Sequence, residues 1–198
     1  MPYDPQIHHR HSIRLKRYDY TQPGAYFITI CTKARQCLFG NVVKGEMQLN
    51  SLGHIAFNCW QTIPDHFPHI ELDTFVVMPN HLHGILIITD KPVGAQQCCA
   101  LNQHLDYNTE QFGKPVPGSI STVIRSYKGV VSKRINIIWQ IKGQSIWQHN
   151  FYEHIGREQK SVDNIQQYIL NNPQHWEDDP ENPQRNSDDQ DFLFDIPF

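Results

Sequence analysis

The hydrophobic pattern changes period several times along the chain, and each change marks an element. Tyr26-Phe27-Ile28-Thr29-Ile30-Cys31 follows the turn signal Pro23-Gly24 and is rich in β-branched and aromatic side chains, which predicts a core strand. Leu38 to Val43 and Glu46 to Leu49 predict two short strands around Lys44-Gly45. The period then becomes helical. Ser51 can cap a first helix whose Ile55, Cys59, Trp60 and Ile63 share one face until Pro64. Ile70 to Val77 and His81 to Ile88 are apolar runs separated by Met78-Pro79-Asn80, which predicts an antiparallel pair at the centre of a sheet. Asp90 to Gly118 is mostly polar and without clear period, a long loop or lid. Ser119 can cap a second helix with Val123, Tyr127, Val130 and Val131 as its apolar stripe. A connector, Ile146-Trp147-Gln148, leads to Phe151-Tyr152-Glu153-His154-Ile155. A third helix then runs from Ser161 through Ile165, Tyr168 and Ile169 to about Asn172, stopped by Pro173. Strands and helices in this order predict an α+β domain with helices packed on one antiparallel sheet.

Composition narrows the class. With 39% hydrophobic and 19% charged residues, the 198-residue chain can bury a core, which excludes whole-chain disorder. No apolar run reaches the roughly 18 residues of a membrane helix, and MPYDPQIHHR has no apolar stretch of a secretory signal. Five cysteines without a CxxC pair suit reduced thiols and a cytoplasmic protein. The net charge of −3 is uneven: from Glu177 onward eight acidic residues face Arg185 alone, a local −7, and the first 176 residues carry +4. The chain thus divides into a basic arm (1–22), a body (23–176, with loop 90–118 inserted) and an acidic tail (177–198) that is solvated or shields the basic body.

Three constellations could do chemistry. In a strand, His81 and His83 point to the same face, so both imidazoles could grip one divalent ion; two partly exposed histidines are the plainer reading. Their apolar surroundings favour a ligand role, because an unsatisfied buried imidazole is costly. Tyr168 and Asn172 lie about 6 Å apart along one helix face, where a hydroxyl could attack phosphorus and an amide oxygen could complete a metal site. Core packing and a helix C-cap are the alternatives for that pair. Arg10, Arg14, Lys16 and Arg17 in the arm, with Arg125, Lys128, Lys133 and Arg134 on the second helix, are interleaved with Tyr18, Tyr20 and Tyr127. They could bind phosphates and stack on unpaired bases, or simply form solvated faces. No Gly-rich phosphate loop, GxSxG or HExxH is present.

Val76-Val77-Met78-Pro79-Asn80-His81-Leu82-His83-Gly84 resembles the HUH motif (His, bulky hydrophobic, His) of the single-tyrosine transposases of insertion sequences. RHSIRLKRYDYTQPGAYFITICT, Trp147-Gln148 with Phe151-Tyr152-Glu153-His154, and Tyr168-Ile169-Leu170-Asn171-Asn172-Pro173 are similar, in the same order, to the transposases associated with repetitive extragenic palindromes (REPs). The resemblance spans Arg10 to Trp176. It implies an HUH-endonuclease, ferredoxin-like (RRM-like) core. His81 and His83 would be ligands of Mg²⁺ or Mn²⁺, Tyr168 the nucleophile and Asn172 the third ligand, with Tyr152 as the competing tyrosine. It further implies a nucleoid-associated cytoplasmic enzyme, monomer or homodimer, that cleaves and rejoins hairpin or palindromic single-stranded DNA through a 5′-phosphotyrosine. The alternatives are a non-cleaving, domesticated palindrome-binding protein and a metal phosphoesterase using water. The long loop and the acidic tail fall outside the resemblance.

Overall fold

The computed structural model describes residues 18–90, 116–156 and 158–185. Arg10, Arg14, Lys16 and Arg17, most of the 90–118 loop and the end of the acidic tail lie outside the described residues.

Four strands form one antiparallel sheet: β1 (Gly24–Cys31), β4 (Ile70–Val77), β5 (His81–Ile88) and β6 (Tyr152–Gly156), in the order β4-β5-β1-β6. β1 and β5 pair along their whole length, from Gly24 opposite Ile88 to Cys31 opposite His81. The pattern alone left Tyr152–Gly156 unassigned, yet it is the edge strand beside β1. Its residues are all half-buried, so no alternation betrays it. β2 (Gly40–Val43) and β3 (Glu46–Leu49) form a separate hairpin. Its turn places Lys44 and Gly45 at φ 55° and 78°, the left-handed pair that matches the twist of a two-residue hairpin.

The helices sort onto the two faces. α1 (Ser51–Gln61), the short α2 (Ile63–His66) and α3 (Ile120–Ile138) join the main core, which holds Ile28, Ile30, Leu82 and Leu86 from the sheet. Gly84 belongs to this packing, because a Cβ there would stand 2.6 Å from the Trp60 ring. α4 (Gln159–Asn171) covers the other face, where Phe27, Ile85, Ile165 and Ile169 form a smaller core.

Several element ends differ from the expectation. Asn50, not Ser51, caps α1, its Oδ1 accepting from the N–H groups of Leu52 and Gly53 at 2.9 Å each. Ser119 caps α3 as expected. Val130 is 40% exposed, because the buried stripe runs through Ile124, Tyr127, Val131 and Ile135. α4 begins at Gln159, two residues before Ser161. Pro173 does not end the helical path: its fixed φ and missing N–H suit a first turn, and the chain continues as a 3₁₀ segment, Asn172–Asp178. The acidic segment is not wholly solvated either, since Asp179 is buried.

Candidate metal centre and tyrosine

Strand alternation sends Leu82 into the main core and His81 and His83 to the α4 face, where the His83 ring stacks on Phe27. Both histidines are fully enclosed, with ring centroids 4.5 Å apart. A neighbour orients each ring. The Asn80 amide nitrogen donates to the Arg35 and Glu181 carbonyls, so its Oδ1 accepts from His81 Nδ1 at 2.8 Å. Thr29 Oγ1 meets His83 Nδ1 at 2.8 Å. With the proton on Nδ1, the Nε2 lone pairs are left free, which is the usual preparation of a metal-ligating histidine.

Two segments close the centre. Ile165 and Ile169 anchor α4, and on the same helix the Gln166 amide donates to Asp73 Oδ2 at 2.8 Å. Asp73 stands where the β4–β5 register shifts between Leu72 and Phe75. Tyr168 then lies edge-on to Phe27, its hydroxyl 3.5 Å from His83 Nε2. The second segment is the start of the acidic tail. Glu181 is held by Arg35 at 2.8 Å, and Asp179 Oδ2 reaches within 3.8 Å of His81 Nε2. Buried Asn172 faces all three groups, working to raise the pKa of His81 and to lower those of Tyr168 and Asp179. Sequence reasoning missed Asp179, which has no motif spacing to the histidines and sits in an acidic run read as solvated or as a shield for the basic body.

Burial dominates the electrostatics. It pushes His81 down from 6.5 to about 4 and His83 well below its ordinary value, so both imidazoles are neutral. It raises the Tyr168 hydroxyl, with Asp179 and Glu181 adding to the rise. It also raises the Asp179 carboxyl, and pushes the Cys31 thiol up to about 12, which keeps that sulfur protonated.

Two buried polar atoms here, His81 Nε2 and Asn172 Oδ1, have no hydrogen-bond partner. Each such atom costs about 1–3 kcal/mol. One ligand atom each from His81, His83 and Asp179 lie within 4.8 Å of one another, so these three could hold a metal ion. Neutral imidazoles beside amide and carboxylate oxygens form a mixed nitrogen and oxygen donor set for a divalent cation.

The depressed histidines give a pH prediction. The unfolded chain takes up protons at these positions before the folded one does, so stability is full above 6.5 and falls as the pH drops toward about 4. The raised Asp179 carboxyl has the opposite sign and offsets part of the loss at the acid end. Thermal unfolding in chelator should show Tm falling across this window, less steeply in His81→Gln. A wild-type slope equal to that of His81→Gln would contradict the assignment.

Of the other expected site residues, Arg125, Lys133 and Arg134 are exposed on α3, across the sheet from the histidines. Lys128 is engaged within the chain: its Nζ donates to the carbonyls of Gln148 at 3.0 Å and Asn150 at 2.8 Å. Half-buried Tyr152 packs edge-on to Phe27, with ring centroids 6.3 Å apart.

No protein-family model matches the chain. An uncharacterized protein of Haemophilus influenzae is 44% identical over 180 residues, 89% of this chain and 95% of that one. Among solved structures, a REP-associated tyrosine transposase bound to a REP hairpin shares the fold. Its TM-score is 0.51 at 22% identity, covering 85% of this chain and 81% of the other.

Proposed function

We propose that this chain, which belongs to the same family as the Haemophilus influenzae protein and has the fold of a REP-associated tyrosine transposase, is a metal-dependent enzyme that cleaves and rejoins single-stranded DNA. The observation that carries this reading is the Tyr168 hydroxyl, 3.5 Å from the Nε2 atom of a buried histidine whose neighbouring ligand atoms lack partners. His81, His83, Asn172 and Asp179 would hold the ion. When bound, a divalent cation polarises the scissile phosphate and lowers the cost of ionising the nearby tyrosine.

Tyr168 Oη attacks phosphorus in line, and the bond from phosphorus to the 3′-oxygen breaks. The products are a 5′-phosphotyrosine and a 3′-hydroxyl, and the covalent link stores the energy for rejoining, so no nucleotide triphosphate is needed. Packing on Phe27 and the tie from Gln166 to Asp73 hold the tyrosine helix against its own sheet, so one chain supplies both the histidines and the nucleophile. The substrate is single-stranded DNA beside a hairpin. The hairpin bound to the solved structure of the same fold supports that choice.

The test is a covalent-adduct assay. Purified protein is mixed with hairpin oligonucleotides from its own genomic flanks, with Mn²⁺ or with chelator, and run on a denaturing gel. A shifted band that requires metal is expected. Hairpin binding without any band would favour a non-cleaving binding protein instead.

A further inference from the structure

The strongest charge asymmetry among the described residues lies away from the tyrosine. Residues 116–152 contain five Lys or Arg and no Asp or Glu, in a chain of net charge −3. They build α3 and the connector behind it, and between the two lies a cleft of about 850 Å³. Its shape follows from the end of the helix. Gln140 takes φ 55°, the Ile141 N–H returns to the Asn136 carbonyl at 3.0 Å, and the Gln140 N–H returns to Ile137 at 3.2 Å. The connector is thereby turned back alongside α3, and Lys128 fixes it there by donating to the Gln148 and Asn150 carbonyls.

The lining has the composition of a polyanion site. Lys133, Lys142 and His149 are exposed at the cleft, and Ile137 and Ile141, 67% and 47% exposed, give it apolar ground. Two of its buried lining residues carry polar atoms without a partner: Asn136 Oδ1, an acceptor, and Trp147 Nε1, a donor. Phosphates satisfy the cations and base faces cover the isoleucines.

The cleft also leads toward the metal centre. The Gln148 N–H donates to the Cys31 carbonyl at 2.9 Å, and Cys31 is the register partner of His81. One strand, β1, therefore lies between the rim and the first histidine, two inter-strand steps of about 5 Å each.

We infer that the cleft between the C-terminal half of α3 and the 140–149 connector is a binding groove for single-stranded DNA, which passes over the end of β1 to the tyrosine. This rests on the DNA-cleaving reading above and adds where the strand lies.

The test measures fluorescence anisotropy of a labelled mixed-sequence single-stranded DNA, and of the same DNA with a hairpin, against the full chain in chelator over a salt series. Lys133→Gln/Lys142→Gln is expected to bind more weakly and to reduce the salt slope by about one per lysine. A charge-matched control, Lys44→Gln/Lys160→Gln, keeps the wild-type slope. Equal slopes in wild type and the cleft variant would overturn the groove while leaving the DNA reading standing, as would equal losses in variant and control. A wild-type chain that binds neither DNA would overturn both. A wild-type dimer converted to a monomer by the cleft variant would assign the face to a second copy and overturn the groove.

Discussion

Tyr168→Phe is expected to abolish the metal-dependent covalent band while leaving hairpin affinity within a few-fold of wild type. The substitution removes one oxygen and keeps the ring on Phe27, and the hydroxyl lost faces Asn172 and stands 3.5 Å from His83 Nε2. Folding stability should therefore change by less than about 1 kcal/mol. The chemical effect is of another order, because loss of the attacking atom leaves nothing to carry the phosphoryl group. A fall of about 10³-fold or more in adduct formation is the scale for a removed nucleophile. Tyr152→Phe is the matched control: that tyrosine lies on the edge strand β6 with its ring on Phe27, and its loss should preserve the band. Persistence of the adduct in Tyr168→Phe with its loss in Tyr152→Phe would transfer the nucleophile to the edge strand. Product release that survives Tyr168→Phe without any adduct would instead point to water as the attacking group.

Local period and punctuation carried most of the architecture. The β4–β5 pair, the hairpin around Lys44-Gly45 and the Ser119 cap all depend on short-range signals, and each formed where those signals lie. What escaped is non-local. The β6 segment earns its place only by pairing with β1, and five half-buried residues carry no alternation to announce it. At the site, His81 and His83 were legible because a strand's two-residue repeat puts them on one face. Tyr168 and Asn172 stand together because four residues make about one helical turn. Asp179 was not legible. Its approach to His81 depends on Pro173 starting a second helical segment instead of ending the path, and on Arg35 and Asn80 holding Glu181. The setting of Lys128 is non-local in the same way: its Nζ donates to backbone carbonyls that the connector brings to it.

Loss of either histidine should be the second large effect. His81→Ala and His83→Ala are each expected to weaken Mn²⁺ binding by about 10²-fold or more, since removing even the partner that orients a ligand costs 10- to 100-fold. Calorimetric titration of Mn²⁺ checks this directly, and the covalent band should fall with it. Asp179→Asn is expected to have a smaller effect, about tenfold, because it retains an oxygen donor and loses only the charge. The order follows from the geometry. The histidine Nε2 atoms are fixed from behind by Asn80 and Thr29, whereas Asp179 arrives on the tail segment and approaches His81 Nε2 only to 3.8 Å. Hairpin affinity in chelator should be unchanged in all three variants, which separates the loss of an ion from the loss of a DNA surface. An Mn²⁺ affinity indifferent to both histidine substitutions would remove the metal from this site, and the partnerless His81 and Asn172 atoms would then have to be satisfied by bound water.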